Sequence, residues 1–392
     1  MIVCSDGHRI VTGSDDGTVI IWDIEDGILL HHLKQHTRPI TSMIVVDESK
    51  VLITGSSDKS VCFWSLEKGR LMTHVESLIG SIKVFINIQD QNVVCAAGGG
   101  LNVFTYHGFS IHDMDMTSNL HSDIHSLLIV RREFLIAASD DNELQIFQIQ
   151  FIDGNNCRVI LRHRYALKTS HPEHIRHLLK ISDTCFASAS LDGSVVIWSI
   201  PESADNFEVT CILNNHETYK REDSQFHDFP YSVQELLSLE NEFLFAAVGN
   251  GFFLFHTGRG TTLTGVVNAH PLKVTSLAFL STLGYLVTSS QDGSVRLWSC
   301  AIDIKDDTIK KFTGVRKFLG SSLLGPKTCY GPPVLIGDCT VHAGGIEKLL
   351  NCHEFSFVSC GVDNQVILWR NHLTETEKKN DTVAKMLSST TS

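Results

Sequence analysis

Proline is scarce in this chain, 8 in 392 residues, and charged residues make up only 19% against 43% apolar. A disordered or fibrous chain would invert that balance. No apolar run approaches the ~20 residues of a membrane-spanning helix, and the opening MIVCSDGHRI lacks a signal-peptide apolar core. The 11 cysteines are odd in number and scattered, without a CxxC pair. That argues against a disulfide framework or a zinc module, and for a reducing compartment. Basic residues are in deficit, 32 against 44 acids for a net charge of −12, so no nucleic-acid-binding face is expected. The expectation is a soluble cytoplasmic protein without direct membrane insertion. At about 150 residues per domain, its length corresponds to roughly two to three ordinary cores.

What the chain does have is a repeat. All five tryptophans end one kind of segment: TVIIW at Trp22, SVCFW at Trp64, SVVIW at Trp198, SVRLW at Trp298 and QVILW at Trp369. Phenylalanine takes the same place in LNVF at Phe104, ELQIF at Phe147 and FFLF at Phe255. These eight anchors are separated by 42, 40, 43, 51, 57, 43 and 71 residues. The shorter intervals match the period of a four-stranded propeller blade, and the longer ones are a period plus an insertion. Eight anchors predict eight blades.

A second periodic mark accompanies the first. Asp16, Asp58, Asp141, Asp192, Asp292 and Asp363 each precede their anchor by six residues, mostly in Asp-Gly or Asp-Asn hairpin turns. A small hydroxyl stands four residues earlier at Thr12, Thr54, Ser188, Thr288 and Ser359, and His36, His121, His171, His270 and His342 lie 20–22 residues before the aspartate. On these residues the chain resembles the WD40 family over nearly all its length. The resemblance implies an all-β, eight-bladed propeller of four-stranded antiparallel blades. In that family the four side chains form a buried hydrogen-bonded chain, in keeping with the need of a buried indole N–H and a buried carboxylate for partners. Complete sets are His36–Thr54–Asp58–Trp64, His171–Ser188–Asp192–Trp198, His270–Thr288–Asp292–Trp298 and His342–Ser359–Asp363–Trp369. Blade 4 keeps His121 and Asp141 but has Ala137 and Phe147, and blades 3 and 6 replace the aspartate turn by glycine-rich ones at 98–100 and 249–251. These three blades are expected to be the less stable ones.

Several motifs tempt a catalytic reading. A His/Ser/Asp trio suggests a hydrolase, but four copies at blade spacing suit a repeat rather than one active site. His171, His174 and His177 have the look of metal ligands, yet His171 already belongs to a blade set. The glycines at 98–100 are followed by no GK[ST], so they read as a turn and not a phosphate loop. The Asn380 acceptor sequence needs a secretory route to be glycosylated. No enzyme signal survives, and no catalytic residue, metal or cofactor is expected.

Two insertions stand out. The range 201–230 carries a net charge of −5, and 301–333 a net charge of +3 together with Phe312, Val315, Phe318 and Leu319. The second is expected to bind a partner, and the first to be a solvated loop. The propeller is placed at 1–371, with 372–392 as a tail. In the tail, Thr374-Glu375-Thr376-Glu377 is a capping box opening a short helix with Val383, Met386 and Leu387 on one face. Blade 1 begins at its second strand, with Met1–Cys4 as a stub of the first. Either 371–376 closes the last blade, or a strand preceding Met1 does, and the latter is the favoured expectation.

Finer strings resemble one branch of the family: Ala246-Ala247-Val248-Gly249-Asn250-Gly251 paired with Asp292–Trp298, Phe312-Thr313-Gly314, Leu335-Ile336-Gly337-Asp338, and Val366-Ile367-Leu368-Trp369 before a helical tail. That branch implies a non-catalytic scaffold that binds a pair of DENN-domain proteins, acts in autophagy and small-GTPase regulation, and is recruited to lysosomes. By the same resemblance Val383, Met386 and Leu387 face the DENN partner, and Phe312, Val315, Arg316, Lys317 and Phe318 reach a lysosomal membrane transporter. Two other readings remain open. A cullin-ligase substrate receptor would show W-D-x-R, whereas Trp22-Asp23-Ile24-Glu25 lacks the arginine. A peptide reader would need a pocket that sequence does not locate.

Overall fold

The computed structural model describes residues 1–4, 6–46, 50–78, 80–88, 93–107, 110–117, 123–152, 158–200, 207–213, 231–240, 242–300, 331–353 and 356–370. Among these the chain forms 31 strands and no helix. The strands make eight sheets, each an antiparallel meander in chain order, seven of four strands and the eighth of three. Each sheet holds one anchor in its third strand, so the sheets are the eight blades. The range 201–230, expected to be one insertion, contains the fourth strand of blade 5, Glu208–Leu213. The fourth strand of blade 7, Val334–Thr340, follows directly on the second insertion.

The chain divides into two compact units, one of Met1–Gly249 with Leu254–Thr262 and the other of Asn250–Phe253 with Leu263–Ser392. The first contains blades 1 to 5 and the second blades 7 and 8, the division falling within blade 6. Inside each unit, consecutive blades pack face to face, and side-chain alternation decides what goes where. In blade 2, Leu52, Cys62 and Trp64 join Val11, Val19 and Ile21 of blade 1. Their alternates Val51, Ile53, Val61 and Phe63 join Val94, Ala96 and Phe104 of blade 3. Blades 7 and 8 share Val287, Val295, Ile346, Leu349 and Phe357 in the same way. The middle strands are therefore covered on both faces, which is why Val51–Ser56, Phe134–Ser139 and Phe243–Val248 are buried throughout. Fourth strands are mostly exposed, as in Leu29–Lys34 and Val334–Thr340.

Two irregularities recur. The ladder shifts at the anchor itself, between Ile21 and Trp22, Phe63 and Trp64, Ile146 and Phe147, Ile197 and Trp198, and Leu297 and Trp298. Such bulges increase local twist and bend the outer strand away from the ladder. The turns between second and third strands are three-residue loops whose last residue has positive φ: Gly17 (81°), Lys59 (65°), Gly193 (88°), Gly293 (80°) and Asn364 (62°). Glycine is needed twice over at Gly17 and Gly293. An added Cβ would lie 2.6 Å from the carbonyl oxygen of His36 or 2.8 Å from that of His342, each on the loop entering the next blade. Gly293→Ala is expected to cost about 1–3 kcal/mol, read as a lower denaturation midpoint, whereas Gly284→Ala, with φ 67° but nothing within 4 Å, should lose less.

Candidate functional site

In blades 2, 5, 7 and 8 the side chains singled out by the repeat converge between the second and third strands. In blade 2 the Trp64 indole N–H donates to Thr54 Oγ1 at 2.9 Å, and Thr54 Oγ1 lies 2.9 Å from His36 Nε2. His36 Nδ1 lies 3.1 Å from Asp58 Oδ2. An ionised carboxylate only accepts, so the neutral imidazole carries its proton on Nδ1 toward Asp58, and Nε2 accepts from the Thr54 hydroxyl. Blade 7 repeats this with Trp298–Thr288 at 3.0 Å, Thr288–His270 at 2.8 Å and His270–Asp292 at 3.2 Å. Blade 8 does so with Trp369–Ser359 at 2.9 Å, Ser359–His342 at 2.8 Å and His342–Asp363 at 3.0 Å. In blade 5, Trp198–Ser188 and Ser188–His171 measure 2.8 and 2.7 Å, and His171 Nδ1 meets Ser194 Oγ at 2.7 Å, which donates to Asp192 at 2.6 Å. Blade 1 brings Trp22 to Thr12 at 2.9 Å.

Two further hydroxyls belong to the arrangement. Ser60, Ser194 and Ser294, two residues after the aspartate, each bridge it to the histidine. Ser56, Ser190 and Ser290, two residues before it, accept the aspartate's own N–H. Ser56 and Ser190 donate in turn to the carbonyls of Arg38 and Glu173 on the histidine-bearing loop. The legible signal was a five-residue S-x-D-x-S, present at 56–60, 190–194 and 290–294. In blade 4 the Ser139 hydroxyl instead donates to the Asp141 carboxylate, and His121 lies outside the described residues.

Burial sets the charge states. Desolvation pushes the imidazoles of His36 and His270 below the ordinary range, and that of His171 down to about 4. Burial acts upward on Asp58, Asp192 and Asp292, but hydrogen bonds, foremost from the serine two residues on, outweigh it and leave them below the usual carboxylate value. The hydroxyls of Thr54, Ser188, Thr288 and Ser359 belong to residues with no exposed surface. Each both donates and accepts within its blade, so none is available to attack a substrate. Of the three histidines at 171–177, His171 is committed to its blade and His177 sits in a strand opposite Ala189. Among the described residues no group of three or more His, Cys, Asp and Glu is placed to hold a metal. Burial also raises the thiols of Cys95 and Cys300 to about 12, out of the reactive range.

The residues expected to bind partners, Phe312, Val315, Arg316, Lys317, Phe318, Val383, Met386 and Leu387, lie outside the described residues, as does the expected C-terminal helix. The described surface contributes exposed aliphatic side chains on fourth strands: Leu29 and Leu30 of blade 1, Val209 and Ile212 of blade 5, and Val334, Leu335 and Ile336 of blade 7.

Thr288→Val leaves the Trp298 indole and the His270 imidazole without their shared partner, at about 1–3 kcal/mol for each. Adding Trp298→Phe should recover part of that loss, a coupling measurable in a double-mutant cycle by urea denaturation. A second effect concerns pH. An unfolded histidine takes up its proton near 6.5, while folded His171 resists to about 4. Stability is therefore full above pH 6.5 and declines as pH falls toward 4, by on the order of 3 kcal/mol from this residue. Melting curves between pH 7 and 4.5 should show that decline, with a shallower slope in His171→Gln.

Comparison with known proteins places the chain. Residues 1–379 match the WDR41 β-propeller family. The human WD repeat-containing protein 41 is 24% identical over 401 residues, covering 94% of this chain and 84% of the relative, and the mouse protein is 24% identical over 400 residues. Among solved structures, the computationally designed Ika8 protein matches with a TM-score of 0.63 at 19% identity, over 93% of each chain. The β-propeller domain of Cps50 (Swd1) from Myceliophteria thermophila matches with a TM-score of 0.55 at 16% identity, over 76% of this chain and 94% of that one. The fold is an eight-bladed β-propeller, and fold and family together support a scaffold role in binding other proteins. The chain belongs to the WDR41 β-propeller family.

Proposed function

We propose that this protein is a non-catalytic scaffold subunit that binds a pair of DENN-domain proteins, in a complex that regulates autophagy and small GTPases. The observation that carries the reading is the match to the WDR41 family over 1–379. The interior supports it, because the side chains that look catalytic are consumed inside the blades, which leaves edges, loops and insertions for function. The tail residues Val383, Met386 and Leu387 face the DENN partner. Phe312, Val315, Arg316, Lys317 and Phe318 reach a lysosomal membrane transporter, and this contact brings a cytoplasmic protein to lysosomes. Among the described residues no helix is long and apolar enough to cross a membrane. The substrate-receptor alternative gains nothing from Asp23, whose carboxylate caps the amides of Glu25 and Asp26 in a turn.

The test is affinity purification of the tagged full chain from its own cells, followed by mass spectrometry. Recovery of both DENN-domain proteins is expected, and their absence would overturn the reading. The double variant Phe312→Ala/Phe318→Ala should melt with the unsubstituted protein yet lose the transporter. A matching loss of stability would make that segment structural.

A further inference from the structure

The outermost strand of blade 4 is chemically unlike its counterparts. Arg158–Lys168, RVILRHRYALK, holds four lysines and arginines and no acid. The six other fourth strands carry at most one such cation each, and the chain as a whole is acidic, at −12. Charge on an outer strand ordinarily guards an unpaired edge against other sheets. That purpose does not account for this strand, because the other edges do without it.

The strand is also firmly seated. Val159 and Leu161 are buried in the core between blades 3 and 4, while Tyr165 and Leu167 pack against the core between blades 4 and 5. The change of face comes from the bulge at Phe147, which leaves Arg164 as the extra residue between His163 and Tyr165. Arg162, His163, Arg164 and Lys168 are exposed. Among the described residues the ion pairs of lysine and arginine are made by Arg9, Lys50, Lys83, Lys180 and Arg296, none of them on this strand. Here the orienting groups are neutral. Arg162 stands opposite Gln148 in the ladder, and the Arg164 guanidinium donates to Oε1 of the same Gln148. His163 Nε2 lies 2.9 Å from Gln145 Oε1, with its ring edge-on to Phe147. A glutamate of the same size at 148 would hold Arg164 equally well. The glutamine orients the guanidinium and leaves its charge uncancelled.

We infer that this edge of blade 4 binds an acidic, extended segment of a partner protein, whose carboxylates take the guanidinium forks of Arg162 and Arg164. The chemistry of the surface selects that class. A guanidinium offers paired N–H donors that match a carboxylate bidentately. Residues two apart on a strand are separated by roughly 7 Å, so acids at alternate positions of an extended segment meet the two arginines in turn. A long polyanion is repelled by the net charge of the chain. A short segment at the blade rim answers to the nearby cations, since the screening length is about 8 Å in physiological salt. The strand is anchored on both faces and Arg164 is already oriented, so binding costs less side-chain entropy than it would at mobile surface arginines. The inference rests on the protein-binding reading above and supplies it with a surface and a partner chemistry.

The test uses the full chain and, as probe, a fluorescein-labelled heptapeptide of alternating glutamate and valine, with a lysine–valine peptide as control, followed by fluorescence anisotropy. Saturable binding of the acidic peptide alone is expected, weakening about tenfold between roughly 50 and 300 mM NaCl. Arg162→Glu/Arg164→Glu should weaken it by about tenfold or more, whereas Lys68→Glu/Arg70→Glu, the same charge change on blade 2, should leave it within about twofold. Gln148→Glu cancels the Arg164 charge in place and is expected to weaken binding about tenfold with Tm unchanged. No binding at millimolar peptide, equal weakening by the blade 2 variant, or undiminished affinity in Gln148→Glu overturns the inference. So does tighter binding of phosphatidylserine vesicles or a single-stranded oligonucleotide through the same two arginines. Capture of the DENN-domain pair is scored separately and decides the scaffold reading, whereas the peptide titration decides this surface.

Discussion

A buried indole N–H must be given an acceptor, and that requirement organises the five blades anchored by tryptophan. Wherever the anchor is tryptophan, the residue ten positions earlier is Thr12, Thr54, Ser188, Thr288 or Ser359. Wherever the anchor is phenylalanine, that residue is Val94, Ala137 or Phe245. No blade pairs a tryptophan with an apolar residue or a phenylalanine with a hydroxyl. The pairing is physical: a hydroxyl without the indole would be left short of a partner in a site without water, and an indole without the hydroxyl would lose its acceptor. Blades 3 and 6 take the apolar solution, with Phe104, Phe245, Phe252 and Phe255 all buried. Blade 3 still carries a polar cost, because the Oδ1 atoms of Asn87 and Asn102 are buried there without a hydrogen-bond partner.

The histidine extends this constraint from one blade to the next. Its imidazole closes the hydrogen-bonded chain of its own blade, while its carbonyl lies over the turn of the blade before. His36 does so over Gly17, and His342 over Gly293. One short loop is thus fixed from two sides, by side chain and by main chain. Hydrogen bonds between innermost strands reinforce the contact, with Leu178 N–H donating to Ser126 Oγ and Leu349 N–H to Ser276 Oγ. Within each unit, order passes from blade to blade through polar contacts at the inner end and aliphatic packing along the middle strands.

Much of this was legible in the sequence because it is periodic. Eight aromatic anchors stand in eight sheets, and the positions of histidine, hydroxyl and aspartate could be counted from them. The flanking serines went unread although S-x-D-x-S is as regular as the anchor itself. Serine is common in turns, and its bridging role between carboxylate and imidazole is visible only when the turn is built. The range 201–230 was misjudged for the opposite reason. The acidic residues around them mask the six residues of Glu208–Leu213, EVTCIL, which pair as a fourth strand. Strands that face solvent on one side and pair on only one edge are the hardest to see in composition.

The same geometry explains why the surface of such a protein is more informative at its outer edges than in its interior. The second strands of blades 2, 4 and 6 are buried throughout, so their residues answer to packing, and four copies of one tetrad record one structural solution. Fourth strands meet none of these demands completely. They pair on one side, and in five blades a bulge at the anchor bends them away from the ladder. Aliphatic residues exposed there, such as Val334, Leu335 and Ile336, are not required by the fold: Thr261–Val266 fills the equivalent place in blade 6 with two exposed threonines at its start. Where an outer strand retains aliphatic side chains that the fold does not need, the selecting pressure lies outside the blade, and contact with another protein is the physical circumstance that would reward it.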